Sequence, residues 1–100
     1  MGSPVLKVWM ARLTDAGHQL SQEEWADLTA KRIANRDELG GKNVVAANVG
    51  WSCEEWYSAG VEEWPSVEAM REHTMALAKM GWYRYFESKV MMGTRMGEPE

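Results

Sequence analysis

The chain has 100 residues, a formal net charge of −4 and a single cysteine, Cys53. That length fits one domain, residues 1–100, with a modest core. The acid excess argues against a nucleic-acid surface, which needs clustered Lys and Arg, and one cysteine excludes an internal disulfide framework or a multi-cysteine metal site.

No apolar run is long enough to span a membrane. The N-terminus lacks a basic segment followed by an apolar one, so no secretory leader is expected. Met1-Gly2 is followed by Leu6 where a myristoylation signal carries Ser or Thr. A lone thiol fits a reducing compartment, and the expected location is cytoplasmic. Six Trp and eight Met are many for this length. Rigid rings and flexible thioethers fill irregular space, as ordinary core, as a core shared with a partner, or around an apolar ligand.

In chain order, residues 5–13 read as a strand, rich in Val, Leu and Trp with Lys7 and Arg12 interposed. Asp15, Ala16 and Gly17 supply a loop that carries His18. Ser21 is an N-cap candidate, and Glu24 three residues on completes a capping-box pattern. A helix follows to about residue 39, ended by Gly40-Gly41. Its expected buried stripe is Trp25, Ala26, Thr29, Ala30 and Ile33, with Arg32 and Arg36 beside it, either snorkelling along the edge or reaching a cavity mouth. Residues 43–51 read as a second strand, apolar on both faces, with Asn48 as the polar exception. Gly50, Ser52 and Cys53 fit a hairpin connection to a third strand over 56–64.

The stretch 61–73 then turns from strand to helix. Pro65 cannot donate to a sheet ladder and closes the strand at Trp64. Ser66 is a good N-cap, and Glu68 in the first turn suits the helix dipole. Val67, Met70, Thr74 and Leu77 repeat at helical spacing, and His73 falls within that stripe. Gly81 stops this helix, and residues 83–92 read as a fourth strand. The tail over 94–100 is expected to be flexible.

The order β-α-β-β-α-β predicts an α+β, ferredoxin-like fold: a four-stranded antiparallel sheet with two helices on one face. Strands with apolar residues on both sides leave the second face to be covered. No element remains to cover it, so a second copy of the chain is the expected partner, giving a homodimer.

This order, together with Glu62-Glu63-Trp64-Pro65-Ser66-Val67-Glu68-Ala69-Met70 followed by His73, resembles the dimeric α/β-barrel superfamily, and in particular proteins like the antibiotic-biosynthesis monooxygenases. The strand from Tyr85-Phe86-Glu87 through Met92-Gly93 is similar to that family's last strand, and the resemblance covers about residues 5–93. It implies a dimeric barrel with a small apolar pocket, and it spans cofactor-free oxygenases, haem-degrading enzymes, cyclases and isomerases. Two departures argue against haem degradation. Ala11 stands near the place of the family's first-strand Asn, and Leu77, Ala78, Lys79 and Met80 supply no histidine late in the second helix.

Among the chemical candidates, His73 can take or give a proton near pH 7, or it can be a structural histidine bonded within the core. Trp9, Asn48, Trp56, Tyr57, Trp64 and Tyr85 are candidate substrate-binding residues, the aromatic ones as a stacking wall for a planar compound or as plain core. Two His in different elements and one Cys make no metal-ligand pattern, so neither metal nor cofactor is expected. Phosphate loops and nucleophile elbows are absent from the sequence. The reading is a cytoplasmic homodimer with cofactor-independent oxygenase, isomerase or cyclase chemistry on a small aromatic or polyketide-like compound, His73 being the acid or base. The competing reading is a non-catalytic homodimeric module that binds a small ligand or a protein.

Overall fold

Strand alternation and two serine caps explain most of the architecture seen in the computed structural model, which describes residues 4–97. The elements are β1 (Val5–Leu13), α1 (Asp15–His18), α2 (Gln22–Glu38), β2 (Lys42–Asn48), β3 (Ser58–Trp64), α3 (Val67–Lys79), α4 (Trp82–Tyr85) and β4 (Phe86–Gly93). They build one antiparallel sheet in the order β2-β3-β1-β4. β3 lies between β1 and β2, the split β-α-β arrangement of a ferredoxin-like α+β fold.

The helices start where their caps allow. Ser21 accepts from the Glu24 N–H while Glu24 accepts from the Ser21 N–H, a complete capping box at the start of α2. Ser66 Oγ accepts from the Ala69 N–H at the start of α3. Gly40, at φ 84°, takes the left-handed turn that follows α2, a conformation costly for any residue with a Cβ.

Alternation along the strands sorts side chains by face. Lys7, Trp9, Ala11 and Leu13 of β1 share the helix-facing side with Ser58, Gly60 and Glu62 of β3, in the register Lys7↔Glu62, Trp9↔Gly60 and Ala11↔Ser58. On the opposite face, Val45, Val61, Val8 and Met91 form one cross-strand row through all four strands. Val8, Val45 and Met91 are exposed there.

Four expectations need correction. The loop expected at Asp15–His18 is a short helix, with Thr14 Oγ1 accepting from the Gly17 N–H. The buried stripe of α2 differs from the one expected: Leu28 is buried, Ala26 and Ala30 are exposed, and Trp25 is exposed in part while its ring packs on Phe86, centroids 5.2 Å apart. The inner face of α2 carries Arg32, which faces Glu62 of β3, and Asn35, which meets His73 of α3, so apolar spacing alone misplaces it. Residues 83–85, expected as the start of the fourth strand, belong instead to the helical turn α4 (Trp82–Tyr85). Trp82 stacks on Phe86 at 4.1 Å, one turn on, and the Thr14 hydroxyl and N–H donate to the Arg84 and Tyr85 carbonyls. Finally, β2 ends at Asn48 and β3 begins at Ser58, which leaves residues 49–51 and Trp56 in the connection, and β2 is an exposed edge strand. Residues 94–97 form no regular structure, and residues 1–3 and 98–100 of the expected termini lie outside the described residues.

Candidate functional site

A cavity of about 360 Å³ opens between the helix-facing side of the sheet and α2, α3 and α4. That volume suits a small organic ligand. His73 comes from α3, which places it on the inward stripe with Met70 and Leu77; the three are 1%, 6% and 3% exposed. Its Nδ1 lies 2.7 Å from Asn35 Oδ1 on α2, and its ring packs against Trp64 with centroids 4.8 Å apart.

Asn35 Oδ1 is an acceptor, so it selects the imidazole tautomer protonated at Nδ1. Nε2 then keeps its lone pair, and no protein partner for it is found among the described residues. His73 is pushed down from 6.5 to about 4, first by burial and then by the positive charges of Lys7, Arg32 and Arg36. The ring is therefore neutral at pH 7.

Lys7 and Glu62 are both buried on the cavity floor. Lys7 Nζ stands 3.7 Å from Glu62 Oε1, and Arg32 Nη1 stands 3.9 Å from Glu62 Oε2. Trp64 Nε1 donates to Glu62 Oε1 at 3.2 Å. Burial pushes the Lys7 ammonium down from its ordinary value, partly offset by Glu62. Burial likewise lowers Arg32, and it raises the Tyr83 hydroxyl. The Arg32 guanidinium lies 5.3 Å from the centre of the Trp82 ring, a cation–π contact on the cavity wall.

Gly60 makes room for the largest floor residue. A Cβ at this position would meet Trp9 Cζ2 at 2.6 Å and the Val45 carbonyl oxygen at 2.6 Å. The indole of Trp9 thus lies over β3 only because residue 60 lacks a side chain. Its Nε1 is buried without a hydrogen-bond partner among the described residues, as are Arg32 Nε and Thr29 Oγ1.

Of the residues singled out in the sequence, His73, Trp9 and Tyr57 line this cavity, Tyr57 at the more exposed end. Trp64 is fully buried and stands behind His73 as its stacking partner. Asn48, Trp56 and Tyr85 are not part of the lining. Asn48 ends the edge strand and accepts from the Gly50 N–H. Trp56 precedes β3 and lies under the Arg12 guanidinium, 5.1 Å away. Tyr85 closes the α4 turn beside Arg84. His18 is exposed beside a second, more open depression of about 280 Å³ near α1.

Sequence reasoning passed over Lys7, Asn35, Glu62, Trp82 and Tyr83 as site residues. Period-two alternation puts Lys7 beside Trp9, and helical spacing puts Asn35 three residues after Arg32. Neither pattern shows which groups meet across elements. Among the described residues no group of three or more His, Cys, Asp or Glu is placed to hold a metal ion, and no helix is long and apolar enough to cross a membrane.

No family model matches the chain, and no curated protein matches it. Solved structures do. The chain is similar to a Rhodopseudomonas palustris protein of unknown function, RPA0582, at 18% identity and a TM-score of 0.68, over 96% of this chain and 85% of that one. The methylated form of that protein gives 17% identity and a TM-score of 0.70, over 100% and 86%. The solution structure of the hypothetical Arabidopsis thaliana protein AT3G17210 matches at 16% identity and a TM-score of 0.59, over 99% and 94%. Likeness at this identity speaks to the fold alone.

Proposed function

We propose that this protein is a small enzyme that needs no cofactor and performs proton-transfer chemistry on a small aromatic or polyketide-like compound. The supporting observation is the Asn35–His73 contact of 2.7 Å at the cavity wall. It orients an imidazole that is neutral at pH 7, the protonation state from which a general base acts. Nε2 takes a proton from an acidic C–H or O–H of the ligand, and the electron pair stays on the ligand as an enolate or phenolate. Lys7 and Arg32 supply positive charge near that anion in an enclosed space, where such charge is most effective. Return of the proton to a different atom gives isomerisation. Attack of the enolate carbon on a carbonyl carbon of the same ligand opens that C=O π bond, and the proton held by His73 passes to the alkoxide, which gives cyclisation. In the oxygenase variant, which the resemblance to antibiotic-biosynthesis monooxygenases suggests, the carbanion forms a C–O bond to dioxygen as co-substrate; the peroxide takes up the proton and loses water across its O–O and C–H bonds, so the methylene carbon is oxidised to a ketone and dioxygen is reduced.

The working unit in this proposal is a cytoplasmic homodimer of the dimeric α/β-barrel kind. The exposed row of Val8, Val45 and Met91 supports a sheet-to-sheet contact, because a soluble monomer rarely displays a wide apolar face. Free Cys53 is in keeping with a reducing compartment. A second reading, a non-catalytic binding module, draws on the near-complete enclosure of His73, 1% exposed and stacked on Trp64.

Hydrogen–deuterium exchange at the acidic carbon of an aryl 1,3-diketone, followed by proton NMR in D₂O, separates the two. The enzyme reading expects exchange faster than in buffer by about tenfold or more, lost in His73→Gln. Exchange at the buffer rate, or acceleration that survives His73→Gln, contradicts it.

A further inference from the structure

The charges around the cavity do not cancel. Lys7 on β1 and Arg32 on α2 both stand against Glu62 on β3, at 3.7 and 3.9 Å. Charge-assisted hydrogen bonds are close contacts of about 2.8 Å, so one carboxylate is stretched between two cations. Its Oε1 also accepts from Trp64 Nε1. The other nearby arginines are already served: Arg12 by Glu87 at 2.6 Å and Arg36 by Asp37 at 3.1 Å. One positive charge is therefore in excess among these groups.

Two unused donors stand with it. Trp9 Nε1 and Arg32 Nε belong to residues of the cavity lining, and both are buried with no acceptor among the described residues. A donor or a charge taken out of water without a partner is costly. An acceptor-only group of one negative charge answers the charge excess, and a carboxylate is such a group. A dianionic phosphate would bring one charge too many. Trp82 and Phe86, which stack on each other, belong to the same lining as Trp9, so part of the wall is aromatic.

We propose that the cavity takes a planar aromatic ligand bearing a single carboxylate, which the positive charges of Arg32 and Lys7 meet. The inference rests on the reading of this cavity as the ligand site, and it names the class of ligand. It also assigns Glu62 a positioning role: it holds Lys7 and Arg32 together on the side where the anion binds.

The test uses the full chain and two probes of nearly one shape, a naphthalene carboxylate and its primary amide. Binding is followed by the indole N–H signals in two-dimensional NMR. The expected result is binding of the carboxylate about tenfold or more tighter than the amide, with the Trp9 signal moving and the preference lost in Arg32→Gln. Equal or tighter binding of the amide overturns the anion inference and leaves the cavity as a ligand site. Failure of both probes to bind at millimolar concentration overturns the inference and the ligand-site reading together. The wild-type comparison decides the matter even where Arg32→Gln does not fold. Loss of diketone exchange with retained carboxylate binding would fault the catalytic reading alone.

Discussion

Asn35 and His73, 38 positions apart, meet at 2.7 Å between α2 and α3. The contact ties the two helices that roof the cavity, and it also sets the imidazole's tautomer. Removing it has two separate consequences. Asn35→Leu leaves Nδ1 without an acceptor and should cost about 1–3 kcal/mol of stability. Asn35→Asp places a carboxylate beside the ring and should raise His73 well above about 4. NMR titration of the ring protons measures the second effect, and an unchanged titration would mean that the contact does not form.

The same residue makes stability depend on pH. His73 titrates near 4 in the folded chain and near 6.5 in the unfolded one, so the unfolded state holds more protons between these values. Its contribution is complete above about pH 6.5 and is lost as the pH falls toward 4, by about 3 kcal/mol in all. Urea unfolding at about pH 7 and about pH 4.5 should show a larger loss in the wild type than in His73→Gln. Equal losses would place the titration elsewhere.

An anion in the cavity should act on His73 as well. Burial is the main cause of the downward shift, and Lys7, Arg32 and Arg36 add to it. Glu62 is the nearby carboxylate, and Tyr83 faces the same space as a neutral hydroxyl. A bound carboxylate offsets the three cations and should move the His73 titration upward, whereas the matching amide should not. The ring titration, repeated with each saturating probe, checks this.

Gly60→Ala tests the floor. The added methyl would collide with Trp9 and with the Val45 carbonyl, both at 2.6 Å. Overpacking of this kind should cost about 1–3 kcal/mol and displace the indole into the cavity. Urea midpoints report the first effect and reduced affinity for the aromatic probes the second. Unchanged values in both would mean that the Trp9 ring lies elsewhere.

The proposed dimer predicts a mass near twice 11.4 kDa by light scattering at micromolar concentration. Val61→Glu, in the middle of the apolar row, should give the monomer mass while leaving the fold intact. A monomeric wild type removes the dimer.

Much of the scaffold was legible because its signals are local. Ser21 with Glu24 and Ser66 with Pro65 mark helix starts by their own chemistry, and Gly40 marks a stop. His73 could be set on an inward face from Met70 and Leu77 alone. What escaped depends on contacts between distant elements. The α4 turn is held by Thr14, some 70 residues earlier, so residues 83–85 read as strand by propensity. The inner face of α2 is polar because its partners lie on β3 and α3, which hydropathy spacing cannot register. The pairing of Lys7 with Glu62 follows from strand register, itself shifted on the neighbouring strand by a bulge between Asn43 and Val45.

The state of the His73 ring at neutral pH tests the central claim most directly. Nitrogen-15 NMR distinguishes a protonated ring nitrogen from one with a free lone pair. The structure predicts a neutral ring at pH 7, protonated at Nδ1 and bare at Nε2, that titrates only near 4. A ring protonated at Nε2 would contradict His73 as a base facing the cavity, and one that titrates near 6.5 like a solvated histidine would contradict its burial beside Lys7, Arg32 and Arg36.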